Sequence, residues 1–299
     1  MPQDSPLLEC RCPAKINLTL AVTGRRKDGY HQLHSIVAQT EFGDELALRW
    51  DPGGQPDQDR AEVRGMDLPL AESSVNVALR RFREAVGLKH GAFSLALGKL
   101  IPAGAGLGGG SSDATAVLRA ACSLLREQCQ GLDLAAVAAR VGSDCPLFLH
   151  DQPVLMEGRG ETISLLPEGL AGRIRHRPVV LFKPAFSINT CEAYRRLAAG
   201  GYYSGAGKGA SLLEAWADSD SVLPPRWNDF ERLAEDWMPS LAVVLERLRR
   251  KLGLEARLSG SGSACFAFHD GDSSVIQCLR QELQSAWGEH YWMVETRMK

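Results

Sequence analysis

The 299-residue chain has no excess of either charge, with 34 Lys and Arg against 36 Asp and Glu and a net charge of −2. That removes any global electrostatic reason to expect nucleic acid or an anionic membrane as a partner, so an anion site must be local. No apolar run approaches the roughly twenty residues of a membrane span. The N-terminal M-P-Q-D-S-P-L-L-E-C lacks the basic start and apolar centre of a secretory signal, and the expectation is a cytoplasmic protein. Eight cysteines (Cys10, Cys12, Cys122, Cys129, Cys145, Cys191, Cys265, Cys278) form no C-x-x-C pair. Neither a zinc site nor a disulfide framework is indicated, and most are expected as small core residues. Tandem repeats and low-complexity tracts are also missing. The length suffices for two compact lobes or one large α/β unit.

Glycine is what the chain does have. Five of its 30 glycines fall within seven positions of the stretch L-I-P-A-G-A-G-L-G-G-G-S-S-D-A-T, residues 100–115. Residues 93–100 before it read as an apolar strand. After it, Ala114, Val117, Leu118, Ala121, Leu124 and Leu125 recur at the three-and-four spacing of one buried helix face. The glycines therefore occupy a strand-to-helix turn, where they permit positive φ and close approach of a ligand. Ser111, Ser112 and Asp113 supply hydroxyls and a cap where the first amides of the helix are unpaired. Unpaired amides and the helix dipole together make an anion site, with phosphate the natural candidate.

Two familiar phosphate loops fail on the neighbours of these glycines. A Walker loop needs Gly-Lys-Ser/Thr four residues after its first glycine. The lookalike at Gly207-Lys208 has Tyr202 in the first glycine position and Gly209 after the lysine. The dinucleotide pattern G-x-G-x-x-G is present at Gly104, Gly106 and Gly109, but it requires a second strand ending in an acid about twenty residues on. Here Asp133 opens another helix, marked by Leu134, Val137, Ala138 and Val141. A bare flexible turn is disfavoured because motif, strand and capped helix agree.

Along the chain, residues 15–22 alternate as one strand, with Ile16, Leu18, Leu20 and Val22 on one face and Lys15, Asn17 and Thr19 on the other; by spacing alone that polar face is a solvated edge. A basic turn, G-R-R-K-D-G-Y-H at residues 24–31, precedes strands over 34–42 and 45–50, and a solvated charge run is its ordinary meaning. Val75, Ala78, Leu79, Phe82 and Val86 predict a helix ending near Gly87. Asp144 lies between a helix stop and the apolar run opened by Pro146, and by position alone could be a helix cap. Strands are predicted over 153–163, 179–183, 255–258, 264–268 and 291–296, and helices around Tyr194, over 241–252 and over 275–286. Residues 259–263, S-G-S-G-S, read in isolation as a plain hairpin turn.

Three separated stretches, P-A-K-I-N-L-T-L, the glycine loop and S-G-S-G-S-A-C-F, together resemble the GHMP small-molecule kinases. Within that superfamily, P-A-K-I-N-L followed by G-R-R-K-D-G-Y-H, V-G-S-D-C-P-L-F and N-D-F-E are similar to the 4-diphosphocytidyl-2-C-methyl-D-erythritol kinases, over nearly the whole chain. The resemblance implies an α+β fold of two lobes, ribosomal-protein-S5-domain-2-like then ferredoxin-like, with a left-handed β-α-β crossover in the first against the usual rule. Domains of 1–165 (ATP-binding) and 166–299 are expected, with ATP and substrate meeting between them.

The same resemblance implies transfer of the γ-phosphoryl group of ATP, with Mg²⁺ bridging phosphate oxygens, to the tertiary 2-hydroxyl of a cytidine-diphosphate-linked methylerythritol. Asp144 becomes the general base and Lys15 the cation that keeps it ionised and stabilises charge. Pro102, Gly104, Gly106, Leu107, Gly108, Gly109, Gly110, Ser111 and Ser112 would hold the phosphates, and Asn76 would lie near the adenine, although Val75 replaces the aspartate usual before it. Asn17, Tyr30, His31, Thr190 and Tyr194 would bind substrate, with Tyr30 and Tyr194 sandwiching the cytosine and His31 at its edge. No dedicated protein metal cluster, nucleic acid or membrane partner is expected, and neither an oligomeric state nor a role for residues 200–209 follows. Homoserine or mevalonate as acceptor is opposed by D-G-Y-H; a binding module without catalysis is opposed by Lys15 and Asp144 together.

Overall fold

The computed structural model describes residues 6–65 and 73–299; residues 1–5, part of the stretch read above for a leader, lie outside the described residues. The chain forms two compact units, interleaved in sequence. One comprises Met1–Ala14, Phe42–Pro102 and Gly108–Asp151, the other Lys15–Glu41, Ala103–Leu107 and Gln152–Lys299. Two strands, β1 (Leu7–Asn17) and β3 (His31–Asp51), run from one into the other.

In the first unit, β5 (Ala92–Gly98) pairs antiparallel with the second half of β3, from Glu45↔Gly98 to Asp51↔Ala92. It also pairs parallel with β4 (Arg60–Arg64), and α1 (Ser74–Val86) lies in the connection between these two parallel strands. The periodic residues named from sequence explain the packing. Val75, Ala78, Leu79 and Phe82 of α1 join Leu48, Phe93, Leu95 and the buried face of α2 (Gly109–Leu124) in one core. Gly87 ends α1 in the left-handed conformation, φ 63°, its amide donating to Arg83 O. Asp133 caps α3 (Leu134–Val141) by accepting from the amide of Ala136 at 2.9 Å.

In the second unit, β2 (Thr19–Arg25), β6 (Val154–Gly158) and the first half of β3 are antiparallel neighbours, with β7 (Thr162–Leu165) on β6 and β9 (Trp227–Asn228) parallel to β2. A separate sheet follows the order β10-β11-β8-β12, antiparallel throughout, from β8 (Pro178–Lys183), β10 (Arg257–Leu258), β11 (Cys265–Phe268) and β12 (Trp292–Arg297). Helices intervene between β8 and β10, and α9 (Ser273–Trp287) between β11 and β12. This is the β-α-β-β-α-β order of the expected ferredoxin-like lobe. The intervening helices are α5 (Thr190–Ala199), α6 (Lys208–Ala217), α7 (Asp229–Trp237) and α8 (Pro239–Leu252), with α4 (Glu168–Ile174) preceding β8.

Several sequence expectations change. The single alternating strand over 15–22 is two strands broken at Leu18, and its polar face is no solvated edge: Lys15, Asn17 and Thr19 are 5%, 3% and 1% exposed. Alternation records which side chains share a face, not whether that face is covered. Asp113 does not cap α2; Gly108 holds the N-cap position and Asp113 is buried inside the helix. Asp144 does not cap either, since α3 ends at Gly142 and the short 3₁₀ turn Pro146–Leu149 starts from Cys145 with no side-chain cap. Helices α4, α6 and α7 lie where the sequence pattern predicts none. Gly169 and Gly172 sit inside α4, and burial of Leu170, Ala171 and Ile174 outweighs their low helical propensity. Of the cysteines, Cys12, Cys145 and Cys265 are buried, Cys191 and Cys278 exposed, and all are free. No helix among the described residues is long and apolar enough to cross a membrane.

Candidate active site

In the second unit the loop Ala103–Leu107 is stitched to its surroundings through the backbone. Leu107 O accepts from the amide of Lys15 at 2.9 Å, Ala105 O from Ala264 at 3.0 Å, and Ala103 O from the Ser187 hydroxyl at 3.1 Å. Gly106 has φ +80°, and a Cβ on it would stand 2.3 Å from Ser259 O, so this position admits no side chain. Ser259 donates its hydroxyl to Gly106 O at 3.0 Å. The serine-glycine turn is therefore more than the link between β10 and β11; it is the wall against which the glycine loop is folded.

Lys15 and Asn17 close the same construction. Lys15 Nζ donates to Asn17 Oδ1 at 2.5 Å, Asn17 Nδ2 donates to Ser35 Oγ at 2.9 Å, and the Ser35 hydroxyl donates to Thr19 O at 2.5 Å. A Cβ on Gly260 would lie 3.3 Å from Asn17 Oδ1 and 3.4 Å from Lys15 Nζ, so the turn backbone runs directly over this pair. Asn228 fixes that backbone by donating Nδ2 to Leu258 O and Gly260 O, both at 2.9 Å.

In the first unit the amino end of α2 is built from Gly109, Gly110 and Ser111, with Ser112 donating its amide to Gly108 O at 2.9 Å. The hydroxyl of Ser112 is buried there without a hydrogen-bond partner. Ser74, the first residue of α1, brings its hydroxyl within 3.3 Å of a Cβ placed on Gly110, so two helix N-termini adjoin, and Asn76 lies in the first turn of α1. Val75, one position earlier, is buried in the core, which is why an apolar residue is accepted there.

Beneath this end, Lys99 bridges two buried carboxylates, Asp113 at 2.6 Å and Asp44. Asp44 also accepts the amides of Leu100 at 2.5 Å and Ile101 at 2.7 Å, tying down the exit from β5. Burial, reinforced by the Asp44 charge and opposed by Lys99, pushes the Asp113 carboxyl up to about 7. Burial acts to depress the Lys99 ammonium, and the two carboxylates more than reverse that, leaving its pKa raised. Asp144 is half-buried in the turn between α3 and the 3₁₀ segment. Its neighbour Cys145 is no nucleophile, because burial pushes the thiol up to about 11.

The remaining sequence-predicted residues lie in the second unit. His31 is stacked on Tyr194, ring centroids 4.6 Å apart and planes 26° apart, and Tyr194 in turn meets Phe230 edge-on at 4.9 Å. Tyr30 is half exposed, with the Arg159 guanidinium 4.9 Å above its ring. Burial and the charge of Arg25 lower the pKa of His31, favouring a neutral imidazole. Thr190 opens α5, and its hydroxyl oxygen accepts from the Ser261 hydroxyl at 3.3 Å. The structure thus joins Lys15, Asn17 and Gly106 in one cluster and His31 and Tyr194 in another.

The profile of the GHMP kinases N terminal domain matches residues 73–152, and that of the GHMP kinases C terminal matches residues 210–284. The chain belongs to the GHMP kinase family. The 4-diphosphocytidyl-2-C-methyl-D-erythritol kinase of Desulfitobacterium hafniense is 34% identical over 291 residues, covering 95% of this kinase and 93% of its own chain. Its counterpart in Deinococcus radiodurans is 36% identical over 292 residues, with 95% and 93% covered. A crystal structure of 4-(cytidine 5'-diphospho)-2C-methyl-D-erythritol kinase aligns with a TM-score of 0.74 at 33% identity, over 97% of this chain and 99% of the other. Homoserine kinase from Cytophaga hutchinsonii, at 16% identity and a TM-score of 0.65 over 100% and 96% of the two chains, shares the fold.

Sequence reasoning missed three parts of this GHMP kinase. The Asp44–Lys99–Asp113 network had a signal, since an acid next to the apolar face of Ala114 and Val117 requires a cation when buried. Ser259 and Ser187 had none, because a hydroxyl's partner across the fold leaves no trace in spacing. Tyr203 lies in the stretch 200–209, to which no role was assigned, yet its ring stands 5.9 Å from His31. Membership in the family implies use of ATP. Among the described residues no group of three or more His, Cys, Asp or Glu could hold a metal ion by itself.

Proposed function

We propose that this GHMP kinase transfers the γ-phosphoryl group of ATP to the 2-hydroxyl of 4-diphosphocytidyl-2-C-methyl-D-erythritol, as a cytoplasmic enzyme of isoprenoid precursor synthesis. The observation that carries the reading is the buried Lys15–Asn17 pair under the Gly260 backbone, a cation held beside the glycine loop at Gly106. The full-length similarity to kinases of that name supports the choice of acceptor, and the His31–Tyr194 stack suits a flat base better than it suits homoserine or mevalonate.

Phosphoryl transfer needs positioning, a proton acceptor and charge stabilisation. Asp144 takes the proton of the attacking hydroxyl. Lys15 stabilises negative charge on the transferring group, its ammonium aimed by Asn17, which Ser35 aims in turn. The amides of Gly109, Gly110 and Ser111 and the unpartnered Ser112 hydroxyl offer donors to phosphate oxygens, assisted by the helix dipole. Pro102, Gly104, Leu107 and Gly108 shape the loop, and Asn76 borders the adenine. Asn17, Tyr30, His31, Thr190 and Tyr194 hold the acceptor.

Mg²⁺ keeps several waters and binds chiefly through substrate phosphates with few protein ligands, and the buried, unpartnered Ser112 hydroxyl at the amino end of α2 fits such a site. Ser112 would help to hold the ion, which would neutralise phosphate charge. Incubating the purified protein with ATP, Mg²⁺ and each candidate alcohol tests the reading. Turnover of the cytidylylated alcohol alone is expected; turnover of homoserine or mevalonate without it overturns the assignment.

A further inference from the structure

Helix α2 stops at Leu124, and the link that follows brings two thiols together. Leu125, with φ −121° and ψ 50°, leaves the helix. The chain then runs through consecutive turns, Gln128 donating its amide to Leu125 O at 3.1 Å, Cys129 to Arg126 O at 3.3 Å and Leu132 to Cys129 O at 3.1 Å. In an unbroken helix, residues seven apart are separated by about 10.5 Å along the axis and their side chains do not meet. Here the turns fold the chain back, and the thiol of Cys122, in the last turn of α2, hydrogen-bonds the thiol of Cys129. Both side chains are partly buried against the core that holds Leu118 and Val137, and both thiols are free.

That hydrogen bond has a direction. Burial and the bond to Cys129 push the Cys122 thiol up to about 12, so Cys122 keeps its proton and donates it while the Cys129 sulfur accepts. The other cysteines offer no equivalent arrangement. Cys10 and Cys12 also touch, but they stand two apart on β1, where extended backbone spaces the Cα atoms by about 6.7 Å, near the upper limit for a disulfide. The backbone of Cys12 and Pro13 is pressed directly against Gly43, so this strand cannot pucker to bring the sulfurs closer. Cys145 and Cys265 are buried, and Cys191 and Cys278 are exposed on separate helices.

We propose that Cys122 and Cys129 form an intramolecular disulfide when the protein meets a low-molecular-weight disulfide such as glutathione disulfide, a redox clasp on the link between α2 and α3. The Cys129 thiolate attacks one sulfur of the oxidant, forming a mixed disulfide and expelling one thiolate. Cys122 then gives up its proton, attacks the Cys129 sulfur and expels the second thiolate. Two cysteine thiols become one disulfide, the oxidant is reduced to two thiols, and those take up the two protons. A reducing thiol pool runs the exchange backwards and keeps the pair open. The amino end of α2 carries the glycine-loop amides, and the link leads through α3 to Asp144, so the bond fastens together the elements of the first unit that hold both. It closes a short loop, which restricts the unfolded chain.

Incubating the full-length protein with graded ratios of reduced to oxidised glutathione, followed by alkylation and peptide mass spectrometry, tests the clasp without any substrate. The expected result is one linkage, Cys122 to Cys129, with a melting temperature roughly 5 °C above that of the reduced protein, both reversed by dithiothreitol. Cys122→Ser should stop at a glutathione adduct on Cys129, and Cys129→Ser should leave Cys122 reduced; neither should gain in melting temperature. Cys122→Ala, which keeps the position apolar, repeats the first of these if the serine hydroxyl is not tolerated against the core. Both thiols remaining free at the most oxidising ratio would overturn the inference. So would a linkage to Cys10 or Cys12, a linkage between molecules, adducts in the wild type without the internal bond, or an internal bond that leaves the melting temperature unchanged.

Discussion

Lys15 and Asn17 share one face of β1, and the lysine ammonium donates to the asparagine carbonyl oxygen at 2.5 Å within a cluster that solvent scarcely reaches. An ammonium so held has its direction set before substrate arrives, which is what electrostatic stabilisation of a transition state requires. Lys15→Met should lower kcat by roughly 10²–10³-fold. Lys15→Arg should not restore activity, because the Gly260 backbone crowds the ammonium, with a Cβ position only 3.4 Å away, and a guanidinium is larger. Steady-state kinetics of both variants check this; wild-type kcat in Lys15→Met removes Lys15 from the reaction, and wild-type kcat in Lys15→Arg overturns the crowding argument.

Asp144 makes a sharper test because it caps nothing. Asp144→Asn preserves size and should leave ATP binding and thermal stability near wild type while lowering kcat by on the order of 10²–10⁴-fold. Single-turnover kinetics beside a nucleotide-binding titration separate the two effects. Full activity in this variant would show that the proton goes elsewhere.

Gly106 tests the folding of the loop rather than its chemistry. With φ +80° and Ser259 O 2.3 Å from any Cβ, Gly106→Ala must either strain the backbone or push the serine-glycine turn away. A loss of roughly 2 kcal/mol in urea unfolding is expected, together with a kcat/KM lowered by at least tenfold. A variant as stable and active as wild type would mean the loop and turn move apart without consequence.

Asp113 governs a pH dependence. Its carboxyl is pushed up to about 7 in the native state, whereas an unfolded aspartate titrates near 3.9. Between about pH 4 and 7 the native protein therefore holds a proton that the unfolded chain has released. Its contribution to stability is full below pH 4 and is lost as pH rises toward 7. Asp113→Asn should remove that contribution, so the melting temperature of the variant relative to wild type should climb across this interval. Parallel melting curves of the two proteins from pH 4 to 7 would contradict the assignment.

Much of the fold was legible because local patterns carry it. The three-and-four spacing in α1 and α3 and the strong strand signals of β5, β8 and β11 place those elements within a residue or two, whereas α2 begins at Gly109, ahead of the cap expected at Ser111–Asp113. Helix α4 escaped because its glycines argue against it locally and only packing of Leu170 and Ile174 holds it. Residue identity brought His31 and Tyr194 forward, but not their mutual stacking.

By itself the sequence determined the strand-to-helix turn at the glycines, the family, and the residue types available for phosphoryl transfer, since each depends on order along the chain. The tertiary structure alone decided that Lys15 and Asn17 are buried rather than solvated, that Ser259 and Gly260 wall the loop at Gly106, that Lys99 is shared by Asp44 and Asp113, and that Tyr203 meets His31. Each of those joins residues dozens to hundreds of positions apart. Spacing reports which side chains face the same way, but what covers them is supplied by distant segments, through backbone carbonyls and hydroxyls that have no periodicity.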